Sequence, residues 1–436
     1  MLLACRFRFQ LSISTRLAAR HQRSRGLRAT APAGENSNGG RGLQHFHHNW
    51  LVLCLAGSIA GPSLPALSQV DPRQSAISLE QQGRNPEAEA AWQTVSKQQP
   101  SNPEPYAHLG LLEARQEHYP EAIGYYRKAL ALAPAMPGLR LNLGLAHFKN
   151  GDYKQAIAIF EPELKQRPDD QQLNILIGMS HYGLAQYAAA SPYLKRAAKS
   201  DPKNLALLLT LAHSCLFSGQ YPCVLDSFHQ IVALNAESAE AYMLMGEALD
   251  EMKDHEGAIR EFRAAEKVNP KELNVHFGLG YLLWTKGQYP EAAAEFQAEI
   301  DNDPQHLQAM LYLGDSEIQM SRPNDARPLL EKVAFLSPAS GMAHRDLGIV
   351  YADQDRQQDA LTEFQAAIKI ASNDVNAHYR LARLYRSMGK TEEAKAEFDK
   401  AASLNKAEDE RLLKVMSTIP TRDQNTPARA NTPKKQ

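Results

Sequence analysis

A small residue returns every 34 positions along this chain, ten times, with no insertion between copies. The series is Ala76, Gly110, Gly144, Gly178, Ala212, Gly246, Gly280, Gly314, Gly348 and Ala382. A second series follows twelve residues behind it: Ala88, Ala122, Ala156, Ala190, Val224, Ala258, Ala292, Ala326, Ala360 and Ala394. A fixed period of this size admits few folds. One such unit cannot enclose a core of its own, so successive units must stack and bury their apolar faces against each other. With Gln69 as the first residue of the first unit, ten units fill the interval to Glu408 with nothing left over.

The pattern within a unit predicts two amphipathic helices. In the second unit the first helix covers about residues 104–116, with Tyr106, Leu109 and Gly110 on one face and Glu113 as the misfit. The second covers about residues 120–132, with Ala122, Tyr126 and Ala129 on one face. These are the i, i+3, i+4, i+7 spacings of a helix packed on one side. Pro86, Pro120, Pro222 and Pro290 share the position where the second helix should begin, and proline is tolerated at a helix start. Gly83, Gly151, Gly219, Gly287 and Gly389 stand three residues earlier, in the expected turn. Pro100, Pro134, Pro168, Pro202, Pro270, Pro304 and Pro338 end the second helices. Large residues recur opposite the small ones: Trp92, Tyr126, Phe160, Leu194, Phe228, Phe262, Phe296, Leu330, Phe364 and Phe398. Two helices that cross closely leave room for only one bulky partner.

The chain resembles the tetratricopeptide repeat (TPR) family. The resemblance rests on a leucine-glycine pair (Leu109-Gly110, Leu143-Gly144, Leu279-Gly280, Leu313-Gly314, Leu347-Gly348), alanine twelve residues on, an aromatic four further and proline eight after that. It covers residues 69–408 and implies an all-α, right-handed superhelical solenoid of about ten helix-turn-helix repeats. Departures mark expected points of looser packing. Glu163 and Glu299 stand where a small residue is usual, and the fifth repeat has Ala212 and Val224. Residues 409–416 read as a C-terminal capping helix, and the polar tail 417–436 as disordered.

The two ends differ in charge. Residues 1–68 hold eight arginines, no lysine and one acid, whereas the rest carries 40 basic and 48 acidic residues. A mildly acidic repeat array argues against nucleic acid, which needs a basic stripe. The apolar run Trp50–Ala60 is short for a bilayer span, and small residues at Ala66 and Ser68 fit a cleavage site just before the repeats. The expectation is export to a periplasmic or secreted location. The alternatives are an organellar presequence or a membrane anchor formed by residues 50–66. The repeats meet a membrane only if that leader is retained. Of four cysteines, Cys5 and Cys54 lie in the leader. Cys215 and Cys223 flank the turn of repeat five and form either a hairpin-closing disulfide or two small buried thiols; the distance across the turn decides.

No catalytic motif is present: no Gly-rich phosphate loop, H-E-x-x-H, C-x-x-C pair or G-x-S-x-G. The histidine cluster His45, His47 and His48 lies in the leader, and no cofactor or metal is expected. The reading is a non-enzyme. In the resembled family the first helices line a concave surface, through the second, fifth, ninth, twelfth and thirteenth repeat positions. Those positions here give Leu141, Leu145, Phe148, Ile175, Met179, Tyr182, Leu209, Leu216 and Phe217, then Phe277, Tyr281 and Trp284. Glu247, Asp250 and Asp315 add acid, and the last two repeats turn basic with Arg345, Arg383 and Arg386 beside Tyr379. An apolar wall of this extent points to a groove for a segment of another protein or peptide. Packing against neighbouring helices is the competing account of the same residues. The family's asparagine ladder does not carry over, since only Asn142 stands at a ladder position. The function expected is an adaptor scaffold in an exported or envelope assembly. The alternative is an arm that presents substrates to an enzyme supplied in trans, such as a glycosyltransferase. Association of copies through the solenoid ends is a third expectation.

Overall fold

The computed structural model describes residues 71–418. The leader, its cysteines and histidines, the cleavage site and most of the tail lie outside the described residues. Within them the chain forms twenty helices in ten consecutive pairs, one pair per repeat. Repeats one to three comprise α1 (Pro72–Gln81) and α2 (Asn85–Gln98), α3 (Pro103–Arg115) and α4 (Tyr119–Leu132), α5 (Leu139–Asn150) and α6 (Tyr153–Gln166). Repeats four to six comprise α7 (Gln171–Gly183) and α8 (Tyr187–Ser200), α9 (Leu205–Phe217) and α10 (Tyr221–Leu234), α11 (Ala239–Glu251) and α12 (His255–Val268). Repeats seven and eight comprise α13 (Val275–Thr285) and α14 (Tyr289–Asn302), α15 (Leu307–Gln319) and α16 (Pro323–Leu336). Repeats nine and ten comprise α17 (Gly341–Asp353) and α18 (Gln357–Ile370), α19 (Val375–Ser387) and α20 (Thr391–Thr418). Residues 409–416, expected as a separate capping helix, continue α20 without a break. Among the described residues no helix is long and apolar enough to cross a membrane.

The fold is an all-α repeat solenoid, and its core is the contact between the small and large series. A Cβ built on Gly110 would lie 2.7 Å from the Tyr126 ring, on Gly144 2.4 Å from Phe160, and on Gly348 2.6 Å from Phe364. Gly178, Gly246, Gly280 and Gly314 meet Leu194, Phe262, Phe296 and Leu330 in the same way. All seven large partners are buried. Where alanine replaces glycine the fit changes: Phe228 opposite Ala212 and Phe398 opposite Ala382 are only half-buried, although Trp92 opposite Ala76 is fully enclosed. Val224 is buried in the core of repeat five. That repeat carries a further tie. The sulfurs of Cys215 on α9 and Cys223 on α10 are bonded, with their Cα atoms 5.9 Å apart, well within the reach of a disulfide.

Turn and cap chemistry recur with the same period. The residue at position fifteen of every repeat has positive φ. Glycine supplies it in five repeats, and Glu117, Ala185, Lys253, Ser321 and Asp355 in the other five. First helices start on side-chain caps at one repeat position, where Asn102, Asp170, Asn204, Ser238, His306, Ser340 and Asp374 accept from backbone amides. Helix α1 is capped by Asp71 at another repeat position, and α5 and α13 make no side-chain cap, for their N-caps Gly138 and Asn274 are left-handed. In repeat seven the missing cap comes from Glu299 on α14. Its carboxylate accepts from the Asn274 amide at 2.9 Å and the Phe277 amide at 3.1 Å. The expectation that Glu299 loosens packing is therefore corrected. It is fully buried, and it satisfies helix-end donors that would otherwise be orphaned.

Two opposite glycine substitutions separate sterics from propensity. Gly144→Ala should cost about 1–3 kcal/mol, because the Phe160 ring has nowhere to go. Gly124→Ala, in mid-α4 with nothing near its would-be Cβ, should gain up to about 1 kcal/mol from helix propensity. Denaturant midpoints by circular dichroism read both, and an equal sign for the two would refute the interlock. Ala185→Gly, which relieves a left-handed alanine, should raise stability by about 0.5–1 kcal/mol by the same measurement.

Candidate functional site

Successive first helices pack on one another, as α3 does on α5, α9 on α11, α13 on α15, α15 on α17 and α17 on α19. They form the inner layer, and the positions expected to line it divide into four zones.

Repeats three and four supply an apolar zone. Leu141, Leu145 and Phe148 on α5 are half-buried against Phe160, Leu164 and Leu173 beneath. Phe148 meets Tyr153 edge-on at 5.8 Å. On α7, Ile175, Met179 and Tyr182 are half-buried in the same manner, with Leu209 and Phe217 of α9 continuing the surface. Burial pushes the Tyr182 phenol up from its ordinary range. Each of these side chains gives part of its surface to the core and keeps part in the open. Leu216 of α9 is buried outright.

Repeat six is acidic. Glu240, Glu247, Asp250 and Glu251 follow one another along α11. His213 holds Glu240 at 2.8 Å, His255 holds Asp250 at 2.6 Å, and Tyr221 donates to Glu251 at 3.3 Å. Burial, with Asp250 and Glu251 as negative neighbours, pushes Glu247 up to about 8.

Repeat seven is aromatic, and here the structure corrects one expectation. Phe277 is only 4 % exposed and belongs to the core. Its ring centroid lies 5.9 Å from Phe296, 4.9 Å from His306 and 6.0 Å from Tyr312, and its backbone amide donates to Glu299. Tyr281 and Trp284 remain half-open, stacked at 6.1 Å, with Tyr312 edge-on to both. The Trp284 Nε1 donates to Asp315 Oδ2 at 2.6 Å. Asp315 is buried, and burial raises its pKa against the lowering effect of that bond and of Arg345.

Arg345, expected on a basic surface, is instead buried and spent on carboxylates. Its Nε donates to Asp346 Oδ1 at 2.9 Å and its Nη1 to Asp374 Oδ2 at 3.3 Å. Asp346 has no exposed surface, and burial lifts it to about 7 despite Arg345. The basic end of the wall reduces to Arg383 and Arg386 on α19, both exposed beside the half-exposed Tyr379. Arg386 lies over the Phe398 ring at 5.6 Å, and Tyr379 meets that ring edge-on at 5.6 Å.

A different device ties repeats together on the other side of the first helices. His276, His344 and His378 share the fourth repeat position, and each has a glutamate nineteen residues on. Their Nδ1 atoms lie 2.7, 2.6 and 2.5 Å from Glu295, Glu363 and Glu397. Their Nε2 atoms face the carbonyls of Pro270, Pro338 and Ser372 at 2.9, 3.2 and 3.1 Å. Each histidine thus clips the loop between repeats to a second helix. The nineteen-residue spacing was visible in the sequence but has no meaning until the helix pair is folded.

An array of helix pairs with a partly open apolar inner wall is the architecture of a protein-interaction repeat. Residues 74–137, 109–171, 141–204, 243–306, 311–375 and 375–408 match the tetratricopeptide repeat family, together more than half of the chain. The chain belongs to this family, whose repeats bind other proteins or peptides and serve as interaction scaffolds. Among curated relatives it is 23 % identical to anaphase-promoting complex subunit 3 of Schizosaccharomyces pombe over 45 % of this chain and 29 % of that one. It is 21 % identical to DnaJ homolog subfamily C member 3 of Gallus gallus over 42 % of this chain and 39 % of that one. The chain thus spans well under half the length of these relatives. Among solved structures, a TPR protein with an unusual peptide-binding site is 20 % identical, with a TM-score of 0.36, covering 44 % of this chain and 96 % of that one.

The half-buried Glu247 of repeat six gives a pH signature. Glu247 sits above its unfolded range near 4, so the folded state favours the proton. Its contribution is fully present below that range and is lost as pH rises toward 8. Glu247→Gln should therefore raise the melting temperature more at pH ~8.5 than at pH ~5. An equal gain at both would remove the assignment.

Proposed function

We propose that the protein is a non-catalytic scaffold that holds segments of partner proteins against its inner wall, without nucleic acid as a partner. The observation that carries this reading is the register of half-buried apolar side chains at one repeat position, Leu145, Met179 and Tyr281, flanked by Phe148, Tyr182 and Trp284. A surface that only packed against its neighbours would be buried, as Phe277 is. A surface that only met water would be polar. The acidic belt of repeat six and the arginines of repeat ten then set the direction of the bound segment.

The same reading places the scaffold in an exported or envelope assembly. The bonded pair Cys215 and Cys223 supports it, since disulfides persist in oxidising compartments. The leader, with its apolar run and small residues before Gln69, supports it from the sequence.

The test is capture of partners from source extract by the full chain, beside a variant with Leu145, Met179 and Tyr281 changed to alanine. Circular dichroism confirms that the variant is folded. A partner held by the first and lost by the second is the expected result, with a loss of at least about tenfold in affinity. A partner held equally by both would sink the inner wall as the site. A captured enzyme whose activity depends on the chain would move the reading to a substrate-presenting arm.

A further inference from the structure

We propose that Glu266, His276 and Glu295 form a site for a divalent cation of the Zn²⁺ type, which bolts repeat six to repeat seven. One ligand atom from each lies within 4.8 Å of the other two. The three come from consecutive helices, Glu266 from α12, His276 from α13 and Glu295 from α14.

Two contacts hold the His276 ring. Its Nε2 faces the Pro270 carbonyl at 2.9 Å, and a carbonyl oxygen only accepts, so Nε2 carries the hydrogen. In the neutral ring, Nδ1 is then a lone pair. It points at the Glu295 carboxylate 2.7 Å away, so acceptor meets acceptor unless something positive lies between them. A ring N–H bound to a backbone carbonyl, with the other nitrogen aimed at carboxylates, is how metal-binding histidines are held.

Repeats nine and ten provide the comparison. His344 and His378 make the same two contacts, and there a proton between ring and carboxylate is enough to form the clip. The position that Glu266 occupies ahead of repeat seven is Ala334 ahead of repeat nine and Ile368 ahead of repeat ten. Only the repeat-seven clip brings a second carboxylate from the preceding repeat. That carboxylate brings a second negative group within 4.8 Å of both His276 and Glu295. A further acid is unfavourable for a proton-sharing clip and is what a dication requires.

Size and chemistry agree. A tetrahedral Zn²⁺ centre with bonds near 2.0–2.1 Å places its ligands about 3.3 Å apart. The present spacing, from 2.7 Å between His276 and Glu295 up to 4.8 Å across the group, brackets that figure. One imidazole and two carboxylates suit Zn²⁺, with water as the fourth ligand. His276 is buried while both glutamates are partly open, which leaves a path for the ion. The ion would span the joint where α13 starts late, on the left-handed Asn274.

The experiment is a Zn²⁺ titration of the chelator-treated full chain by calorimetry, with melting temperatures measured with and without the ion. Wild type, Glu266→Gln and His344→Ala are compared. The leader's histidines and cysteines are present in all three, so any binding by them cancels. The expected result is one Zn²⁺ equivalent that stabilises wild type and His344→Ala alike. Glu266→Gln should bind it at least tenfold more weakly, while keeping the wild-type melting temperature in chelator. Equal Zn²⁺ responses in wild type and Glu266→Gln, loss of the response in His344→Ala, or no Zn²⁺ binding by wild type would each overturn the site.

Discussion

The core of this array rests on one steric exclusion: in seven of its ten repeats the first helix has no Cβ where the second helix places a ring or a leucine. Seven glycines meet seven large partners with would-be Cβ contacts of 2.8 Å or less. The exclusion fixes how closely the two helices cross. It thereby fixes which residues of the first helix remain for the neighbouring repeat and which face the inner layer. Packing of this kind is sensitive to single methyl groups, because protein interiors have little free volume.

The places where the exclusion weakens are reinforced by other means. In repeat five, alanine stands for the glycine of the first series and valine for the alanine of the second, and Phe228 stays half-buried. A covalent bond between Cys215 and Cys223 ties the same two helices together. The segments that match the family leave residues 205–242 between them, which are this repeat and its link to the next. Repeat seven is irregular in another way. It loses the usual side-chain cap, and Glu299 reaches back from α14 to supply it. Beside that cap Phe277 is buried, and Tyr281 and Trp284 are the half-open aromatic pair.

The period alone was enough to place all ten helix pairs, because the unbroken repeat position carried the assignment through the repeats that lack the turn glycine or the helix-start proline. The inner wall was legible only in part. Leu145, Met179 and Tyr182 lie where the repeat position puts them, since a half-buried position tolerates a large apolar side chain. Phe277 and Arg345 share the fifth repeat position with the half-buried Leu141 and Ile175, yet are buried. The partners that hold them are not part of the repeat pattern: Glu299, from the next helix, for the first, and the adjacent Asp346 with the distant Asp374 for the second. A one-dimensional pattern gives the address of a side chain. It does not give the partner that pulls it inward. Glu299 was misread for this reason: a carboxylate at a small-residue position looks like a defect until the two amides it caps are seen.

The left-handed turn within each repeat has a consequence for how such a chain can grow. At Gly83, Gly151, Gly287 and Gly389 nothing lies within 4 Å of a would-be Cβ. These turns face open space and take no part in the interlock or in the inner wall. Added loops or tethered domains at those points would leave the stacked helices undisturbed. The array therefore keeps its inner wall and its turns on separate surfaces, so that either can be altered without disturbing the other.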